Sequence, residues 1–418
     1  MTGPLDNPPM PAPPLRIVAD ANIPAARDAF GALGEVREVP GHEIRCETVR
    51  DTDVLLVRSV TPVNAALVDG TPVRFVGSAT AGTDHVDDAA LAARGIAFAH
   101  APGSNATSVV EWVLAALLAT AADRGEGLEG RTLGVVGDGQ VGGRLVPRAR
   151  ALGMRVLVCD PPRAAAGALG AEAHVPLADL LEQSDVVTLH TPLATPAESP
   201  WPTLGLLGAD ALARMRPGAW LVNAARGRVV DGAALGAAAE AGRVGELLLD
   251  VWPGEPAPDP ALAARTRVAT PHVAGYSVDG KVAGTAAVAA ALRAWARAER
   301  GLKAEPWDPE PALAARIPLA VDAADLPVHS AADRARWLDA LARQAYGVRA
   351  DTARFRAGIS WGAAPDVRAA DFVRLRKTYP PRREWARFTV RGPVPDAVRA
   401  AVVDGLQMQV EDAADGRT

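Results

Sequence analysis

Short apolar runs recur along the chain and alternate with longer segments of helical character. Several of these runs, rich in Val, Leu and Ile, are predicted to be strands: Leu15–Ala19, Val54–Val57, Val73–Val76, Leu133–Gly137, Arg155–Cys159, Val186–His190, Ala219–Asn223, Leu247–Val251 and Arg267–Ala269. Because apolar residues run continuously rather than alternate with polar ones, the pattern is typical of strands covered on both faces. It therefore predicts parallel α/β sheets.

Two predicted helices divide the chain into three blocks. An apolar, Ala-rich helix is expected over Ala106–Ala122, directly after a turn that can cap it. A second long helix is expected over Gly284–Arg300. The third block, from about residue 310 onward, is rich in Arg and has mixed helix and strand signals, so its topology stays open.

Composition narrows the class of protein. The chain has 418 residues, of which 49% are hydrophobic and 22% charged, which indicates a globular protein of two or three domains. A net charge of −5 provides no general basic field for nucleic acid. The most apolar stretch, Val113–Ala122, is shorter than the roughly 20 residues of a membrane span, so no membrane partner is expected.

Cysteine usage and the N-terminal segment point to a cytoplasmic protein. Cys46 and Cys159 lie in unrelated contexts, which argues against a disulfide framework, and no metal site is expected. Residues 1–14 are Pro-rich and lack the apolar region of a signal peptide. This segment is predicted to be a disordered extension.

A glycine-rich loop follows one of the predicted strands. Gly137, Gly139 and Gly142 form a G-x-G-x-x-G pattern that opens a helix. In a dinucleotide-binding fold the first glycine allows a tight turn, the second lets the backbone approach a pyrophosphate, and the third lets helix and strand pack closely. A glycine-rich turn without a ligand is the alternative interpretation.

Two carboxylates belong to this loop and its surroundings. Asp160 ends the next predicted strand, near the expected spacing of about 20 residues, where an acid binds both ribose hydroxyls and repels a 2′-phosphate. This favours NAD over NADP. Asp138 lies inside the loop itself and is expected to point to solvent, since a carboxylate facing the pyrophosphate would weaken its binding.

Three further turns follow predicted strands and carry Arg226, Glu255 and His272. Ligands of parallel sheets bind beyond the carboxyl ends of the strands, so these residues are predicted to converge. Such a His can take a hydroxyl proton, the carboxylate can orient the imidazole, and the Arg can grip a substrate carboxylate. Taken singly, each is more often a loop or surface residue; together they indicate hydride transfer on a 2-hydroxy acid.

The glycine loop and these turns closely resemble the D-2-hydroxyacid dehydrogenase family. Other stretches resemble those members of the family that act on 4-phospho-D-erythronate: Asp20–Pro24, Val57–Thr61, Ala79–Asp87, Cys159–Arg163, His190–Leu193, Leu375–Tyr379 and Arg382–Trp385. The resemblance covers about residues 15 to 390.

The resemblance implies an α/β fold with two Rossmann-like, doubly wound parallel-sheet domains and an interdomain cleft. A split substrate-binding domain is expected at 15–105 and 280–300, with a NAD-binding Rossmann domain at 106–279. Residues 301–418 are expected to form a smaller α+β dimerisation domain, which makes the protein a homodimer.

The resemblance also implies roles for individual residues. Arg226 and Glu255 are expected to be catalytic, and His272 to be the proton donor and acceptor. The expected NAD contacts are Gly137, Gly139, Gln140, Val141, Gly142, Asp160, Thr191, Ala224, Asp250 and Gly275. The expected substrate contacts are Ser59, Thr80 and Tyr276.

The sequence offers two candidate sets of residues that could bind the substrate phosphate. Arg58 is one candidate, because it stands beside Ser59 at the end of a predicted strand. A basic cluster near the C-terminus is the other, acting from the partner subunit or simply forming a solvated face: Arg376, Lys377, Arg382 and Arg383.

The implied reaction is NAD-dependent oxidation of 4-phospho-D-erythronate to 2-oxo-3-hydroxy-4-phosphobutanoate, in pyridoxal 5′-phosphate (vitamin B6) biosynthesis. Two alternatives stay open. One is a related dehydrogenase of phosphoglycerate, glycerate, glyoxylate or hydroxypyruvate. The other is a non-enzymatic, NAD-sensing interaction protein.

Overall fold

The structure is a computed structural model that describes residues 13–168, 174–320 and 326–411. The predicted N-terminal extension lies, up to residue 12, outside the described residues. The described chain forms two compact units. Unit 1 contains residues up to Asn105 together with Asp279–Ala314, and unit 2 contains Ala106–Val278 together with the chain from Ala315 onward.

The strands of the two units are short, and the central ones are buried. They are β1 Leu15–Asp20, β2 Gly34–Val39, β3 Val54–Val57, β4 Phe75–Ser78, β5 Ala97–His100, β6 Thr132–Val136, β7 Arg155–Cys159, β8 Val186–Leu189, β9 Ala219–Asn223, β10 Val244–Leu249, β11 Thr266–Ala269, β12 Ile317–Ala320, β13 Phe388–Arg391 and β14 Gln409–Glu411.

The helices range from single turns to a 23-residue helix. They are α1 Ala26–Phe30, α2 Ala65–Val68, α3 Asp88–Ala92, α4 Ala106–Arg124, α5 Gly142–Ala151, α6 Pro161–Ala165, α7 Leu177–Gln183, α8 Ala209–Arg214, α9 Gly232–Glu240, α10 Pro260–Arg265, α11 Val278–Arg300, α12 Glu310–Leu313, α13 Ala331–Ala345, α14 Val348–Gly358, α15 Pro365–Lys377 and α16 Asp396–Ala400.

Unit 1 is built on a five-stranded parallel sheet in the order β2-β1-β3-β4-β5. Helix α11 returns to this sheet, where Val288 and Leu292 join the core around Leu56 and Phe75. The chain that leaves unit 1 after β5 therefore completes the core of this unit more than 170 residues later.

Unit 2 contains a six-stranded parallel sheet in the order β11-β10-β9-β8-β6-β7. Strand β6 lies between β7 and β8, so the chain reverses its direction of winding next to β6. Ligands of doubly wound sheets bind at such a switch point, beyond the carboxyl ends of the strands. The glycine loop leaves the sheet at this place.

The C-terminal block adds a small parallel sheet, β12-β13-β14, and four helices to unit 2. Its buried side chains Trp337, Leu341 and Trp385 belong to the same hydrophobic core as Trp112 and Leu117 of α4. The described part of this block therefore shares a core with residues 106–278, and a separate dimerisation domain at 301–418 stays a prediction.

Helix α4 has the length and hydropathy of a membrane-spanning helix, but 83% of its most apolar window is buried inside the structure. It packs against α13 and α5 as a core helix of unit 2. Together, these sheets and helices confirm the predicted α/β fold class.

Candidate active site

The glycine loop has the geometry that its sequence predicts. Gly137 has a φ of 96°, a conformation that side chains other than glycine rarely adopt. A Cβ at Gly142 would lie 1.9 Å from the Gly137 carbonyl oxygen, so α5 starts in close contact with the end of β6. A Cβ at Gly139 would meet nothing within 4 Å, so the loop presents open backbone there.

A buried hydroxyl beside this loop fits a bound dinucleotide. The Oγ1 atom of Thr191 is buried and has no hydrogen-bond partner among the described residues. Its methyl carbon lies 3.2 Å from the position that a Cβ on Gly137 would take. Buried polar atoms are nearly always paired, so a buried hydroxyl without a partner is a natural contact for a ligand.

Asp160 caps α6 and ties it to the glycine loop. Its Oδ1 accepts a hydrogen bond from the Arg163 N–H at 3.0 Å, and its Oδ2 accepts one from the Asp138 N–H at 2.7 Å. A carboxylate has about four acceptor positions, so half-buried Asp160 keeps capacity for ribose hydroxyls. The preference for NAD over NADP stays a prediction.

The expectation that Asp138 points to solvent is wrong. Its side chain is only 9% exposed and lies 3.6 Å from the Arg163 guanidinium. The Asp138 N–H donates to Asp160 at the start of α6, and the Asp138 carboxylate lies beside Arg163 of that helix. Arg163 therefore compensates the negative charge inside the phosphate-binding loop.

The remaining predicted NAD contacts line the same ends of the strands in unit 2. Gln140 is exposed, and its side-chain oxygen accepts a bond from Arg144 at 2.7 Å. Val141 directly precedes α5, and Ala224 and Gly275 are half-buried in the turns after β9 and β11. Their contacts with the cofactor stay predictions.

His272 and Glu255 form a hydrogen-bonded pair. The Nδ1 of His272 lies 2.9 Å from Glu255 Oε1, while Glu255 Oε2 accepts a bond from the Trp252 N–H at 3.2 Å. Burial alone would raise the pKa of Glu255, but these bonds and the charges of His272 and Arg376 lower it overall. An ionised Glu255 accepts a hydrogen bond from the Nδ1–H group of His272, which leaves the Nε2 atom of His272 available for proton exchange with a substrate.

Asp250 holds the turn that carries His272. Its Oδ1 accepts bonds from the Thr270 hydroxyl at 2.6 Å and the Val273 N–H at 2.8 Å, and its Oδ2 accepts one from the Ala274 N–H at 2.9 Å. Asp250 is fully buried, and burial raises its pKa. The predicted contact of Asp250 with NAD stays a prediction, whereas its support of this turn is visible in the structure.

The Arg226 turn is fixed by Asn223, which ends β9. The Asn223 side chain accepts a bond from the Ala225 N–H and donates one to the Arg226 carbonyl, both at 3.0 Å. A Cβ at Gly227 would lie 1.9 Å from the Trp252 carbonyl oxygen. The Arg226 and Glu255 turns therefore touch through a glycine that the sequence analysis did not single out, although it stands next to the predicted catalytic Arg.

Tyr276 lies against the C-terminal block. Its phenol oxygen accepts a bond from Arg376 at 3.2 Å, and its ring packs edge-on against Tyr379 at 5.9 Å between centroids. Arg376 thus contacts an active-site residue of its own chain.

Arg382 of the predicted basic cluster does not join Arg376. Arg382 is buried, donates to the Ala274 carbonyl at 2.6 Å and the Ser108 carbonyl at 2.9 Å, and pairs with Glu111 at 3.4 Å. Lys377 is exposed and Arg383 is half-buried. The interpretation of these four residues as one basic patch is wrong, because the irregular segment after α15 turns Arg382 into the core.

The predicted substrate residues of unit 1 follow β3 and β4. Arg58 donates to the Ala79 carbonyl at 3.2 Å, and Ser59 beside it is exposed. The Thr80 hydroxyl lies 2.7 Å from Ser78 Oγ and donates to the Gly82 carbonyl at 2.8 Å. Since β3 and β4 are neighbours, Arg58 and Thr80 lie at one edge of the sheet.

The sequence analysis missed Lys281, a half-buried cation of unit 1. Lys281 lies one turn before Gly284, whose position for a Cβ is 3.0 Å from the Ala79 carbonyl oxygen that Arg58 binds. Burial lowers the pKa of Lys281, and the charge of Arg58 lowers it further. The available signal was that the chain has very few lysines.

Comparison with known proteins adds the family. Residues 101–274 match the family described as D-isomer specific 2-hydroxyacid dehydrogenase, NAD binding domain, and residues 320–403 match a domain of unknown function. The erythronate-4-phosphate dehydrogenase of Salinibacter ruber is 50% identical over 95% of this chain and 99% of that protein. This chain belongs to the erythronate-4-phosphate dehydrogenase family.

Other relatives agree with this assignment. The erythronate-4-phosphate dehydrogenase of Pseudomonas aeruginosa strain PAO1 is 48% identical over 88% of this chain and 93% of that protein. A D-lactate dehydrogenase from Aquifex aeolicus, solved with NAD and lactic acid, shares the fold with a TM-score of 0.57 and 21% identity. It covers 68% of this chain and 96% of its own, whereas the curated erythronate-4-phosphate dehydrogenases match nearly the whole chain. The protein is an oxidoreductase with NAD as its cofactor.

Proposed function

We propose that this protein oxidises 4-phospho-D-erythronate to 2-oxo-3-hydroxy-4-phosphobutanoate with NAD, a step of pyridoxal 5′-phosphate biosynthesis. The observation that carries the proposal is the His272–Glu255 pair at 2.9 Å, set beyond the strands of a NAD-binding sheet. The substrate is the one in the names of relatives that are 44 to 50% identical to this chain.

Residues of the chain accept the hydroxyl proton of the substrate and orient its carboxylate. Bound NAD supplies the acceptor for the hydride that leaves C2 of the hydroxy acid. His272 takes the hydroxyl proton at Nε2, and Glu255 stabilises the imidazolium that results. Arg226 holds the substrate carboxylate and polarises the oxygen on C2.

We assign the phosphate of the substrate to residues of unit 1. A phosphate carries about −1.5 to −2 charges near pH 7 and needs cationic donors of its own. Arg58 and Lys281 are two cations close enough for the charge of one to shift the pKa of the other. The hydroxyl of Ser59 stands just beyond the end of β3, so unit 1 offers both charge and a hydrogen-bond donor to an anion.

NADH formation with 4-phosphoerythronate, 3-phosphoglycerate and glycerate tests the reaction. NADH consumption measures the reduction of hydroxypyruvate in parallel. The highest kcat/KM is expected for 4-phosphoerythronate. A higher value for another acid would reassign the substrate, and no turnover of any of them would favour a NAD-sensing role.

Arg58→Ala tests the phosphate assignment. A lost charged hydrogen bond corresponds to about 1.5–3 kcal/mol, so KM for 4-phosphoerythronate should rise roughly 10- to 150-fold. The KM for glycerate should change little. Arg50→Ala, which removes an exposed guanidinium of the same unit, is the matched control. Equal losses on both acids would show that Arg58 acts on the structure or on the carboxylate instead.

The setting of the enzyme is part of the proposal. We infer a homodimer formed through the C-terminal block, located in the cytoplasm and without nucleic-acid or membrane partners. Light scattering after size exclusion measures the mass, and twice the chain mass at micromolar concentration is the expected result.

A further inference from the structure

Arg376, on the last turn of α15, reaches the active-site tyrosine of its own chain. Its Nη2 donates to the phenol oxygen of Tyr276 at 3.2 Å, and its guanidinium carbon lies 5.7 Å from the centre of the Tyr276 ring. A phenol oxygen that accepts a bond from a cation is directed to donate its own proton elsewhere. Arg376 therefore prepares Tyr276 as a hydrogen-bond donor.

A second tyrosine limits the movement of this ring. Tyr379 packs edge-on against Tyr276, and its own hydroxyl donates to the Asp351 carboxylate at 2.6 Å. Asp351 also accepts a bond from the buried Tyr346 at 3.0 Å. The C-terminal block thus holds Tyr276 from two sides, by a hydrogen bond and by an anchored ring.

Arg376 also acts on the catalytic carboxylate. Its positive charge is one of the influences that lower the pKa of Glu255, together with the bonds from His272 and Trp252. A nearby cation favours the ionised carboxylate, which is the form that orients His272.

We propose that Arg376 is a positioning residue that directs the Tyr276 hydroxyl toward an oxygen of the substrate. This inference rests on the proposed function for the role of Tyr276. It differs from the sequence-based alternative in which Arg376, as part of the basic cluster, reaches the phosphate from the partner subunit. It also gives the C-terminal block a part in catalysis besides any part in assembly.

A double-mutant cycle tests the proposal with Arg376→Met, Tyr276→Phe and the combined variant. Each single change should raise KM for the hydroxy acid about 10-fold or more, as expected for losing a hydrogen bond to a charged group. The combined variant should be no worse than the poorer single variant, because both changes remove the same donor. Multiplying effects would show that Arg376 binds substrate independently, and this result would overturn the proposal.

The pH profile supplies a readout that a merely structural role would not move. In Arg376→Met the acid limb of kcat should shift to higher pH, because Glu255 loses a neighbouring cation and becomes protonated more readily. Arg376→Lys keeps a cation and should retain the wild-type acid limb. Arg376→Lys also provides the comparison with the wild type if Arg376→Met does not fold. Arg374→Met, which removes an exposed guanidinium of the same helix, is the control. An unshifted acid limb would refute the action on Glu255.

The cycle is run with whichever hydroxy acid the wild type oxidises best. A different preferred substrate would then overturn the proposed function while leaving the test of Arg376 intact. Kinetic constants of Arg376→Met within twofold of the wild type would overturn the inference alone.

Discussion

Two of the glutamates in unit 2, Glu255 and Glu111, each lie beside a basic side chain from another segment, and their pKa values move in opposite directions. Glu255 lies 2.9 Å from His272 with 27% of its side chain exposed, and its pKa is lowered. Glu111 lies 3.4 Å from Arg382 with 1% exposed, and burial together with Glu384 raises its pKa to about 8. Full burial removes more hydration than the nearby arginines replace.

The difference teaches which pair is placed to exchange protons and which is enclosed in the core. Water reaches the first pair, so His272 can change its charge during a reaction. The second pair is sealed: Glu111 accepts a bond from the Trp385 N–H at 2.7 Å, and Arg382 donates to the carbonyl of Ala274, two residues after His272. The buried pair therefore connects α4 and the C-terminal block to the turn that carries the catalytic imidazole.

Removing the accessible His272 imidazole should have the largest effect on catalysis. His272→Ala is expected to lower kcat by about 10²–10⁴-fold, the range for loss of a general acid–base group. NAD affinity, measured by fluorescence titration, should stay nearly unchanged. His42→Ala removes an exposed imidazole of unit 1 and is the control. Turnover close to that of the wild type would contradict the role of His272.

Removing the buried cation should act on stability. Arg382→Met removes the donor to the Ala274 and Ser108 carbonyls and to Glu111 Oε2, and each buried acceptor left unpaired typically lowers the free energy of unfolding by about 1–3 kcal/mol. Chemical denaturation measures this loss. Combining it with Glu111→Leu should restore part of the stability, because no unpaired carboxyl remains. Arg391→Met, which breaks an exposed ion pair, should cost less than about 1 kcal/mol. A double variant as unstable as the single one would show that packing, not charge, dominates.

The pH dependence of stability tests the protonation of Glu111 directly. The pKa of Glu111 is about 8 in the folded protein against 4.5 ordinarily, so the native state holds a proton that the unfolded state has released. Wild-type stability relative to Glu111→Gln should therefore be greatest below about pH 4.5 and fall as pH rises through about 8. A difference between the two proteins that does not change with pH would show that Glu111 stays ionised.

Much of the fold could be predicted from sequence because the central strands are continuous apolar runs. The bounds predicted for β3, β7 and β9 agree with the structure, and most others differ by one to three residues. The edge strands β2 and β5 were missed. β2 carries charged residues at its half-exposed positions, and β5 is a short segment with no large apolar run. The strands of the C-terminal block are similarly short, and their pairing partners are distant in the sequence.

The candidate active site, like the fold, could be predicted from the sequence only in part. Arg226, Glu255 and His272 could be found because each follows a strand whose place in a doubly wound sheet is predictable. The environments of Asp138 and Arg382 could not be found, because they depend on contacts with Arg163 and Glu111 that spacing along the chain does not reveal. Sequence therefore indicated the candidate catalytic groups, and the structure was needed to show what orients them.

The backbone of His272 has a φ of 57°, in the left-handed region that residues with a Cβ avoid. Such a conformation costs a residue other than glycine roughly 1–2 kcal/mol, and here the Asp250 carboxylate holds the turn in place. Replacing His272 with Gly should therefore give a more stable protein than replacing it with Ala, although both are inactive. The backbone conformation that presents the His272 imidazole thus lowers the free energy of unfolding. Stabilising substitutions selected without an activity screen should therefore accumulate at this turn.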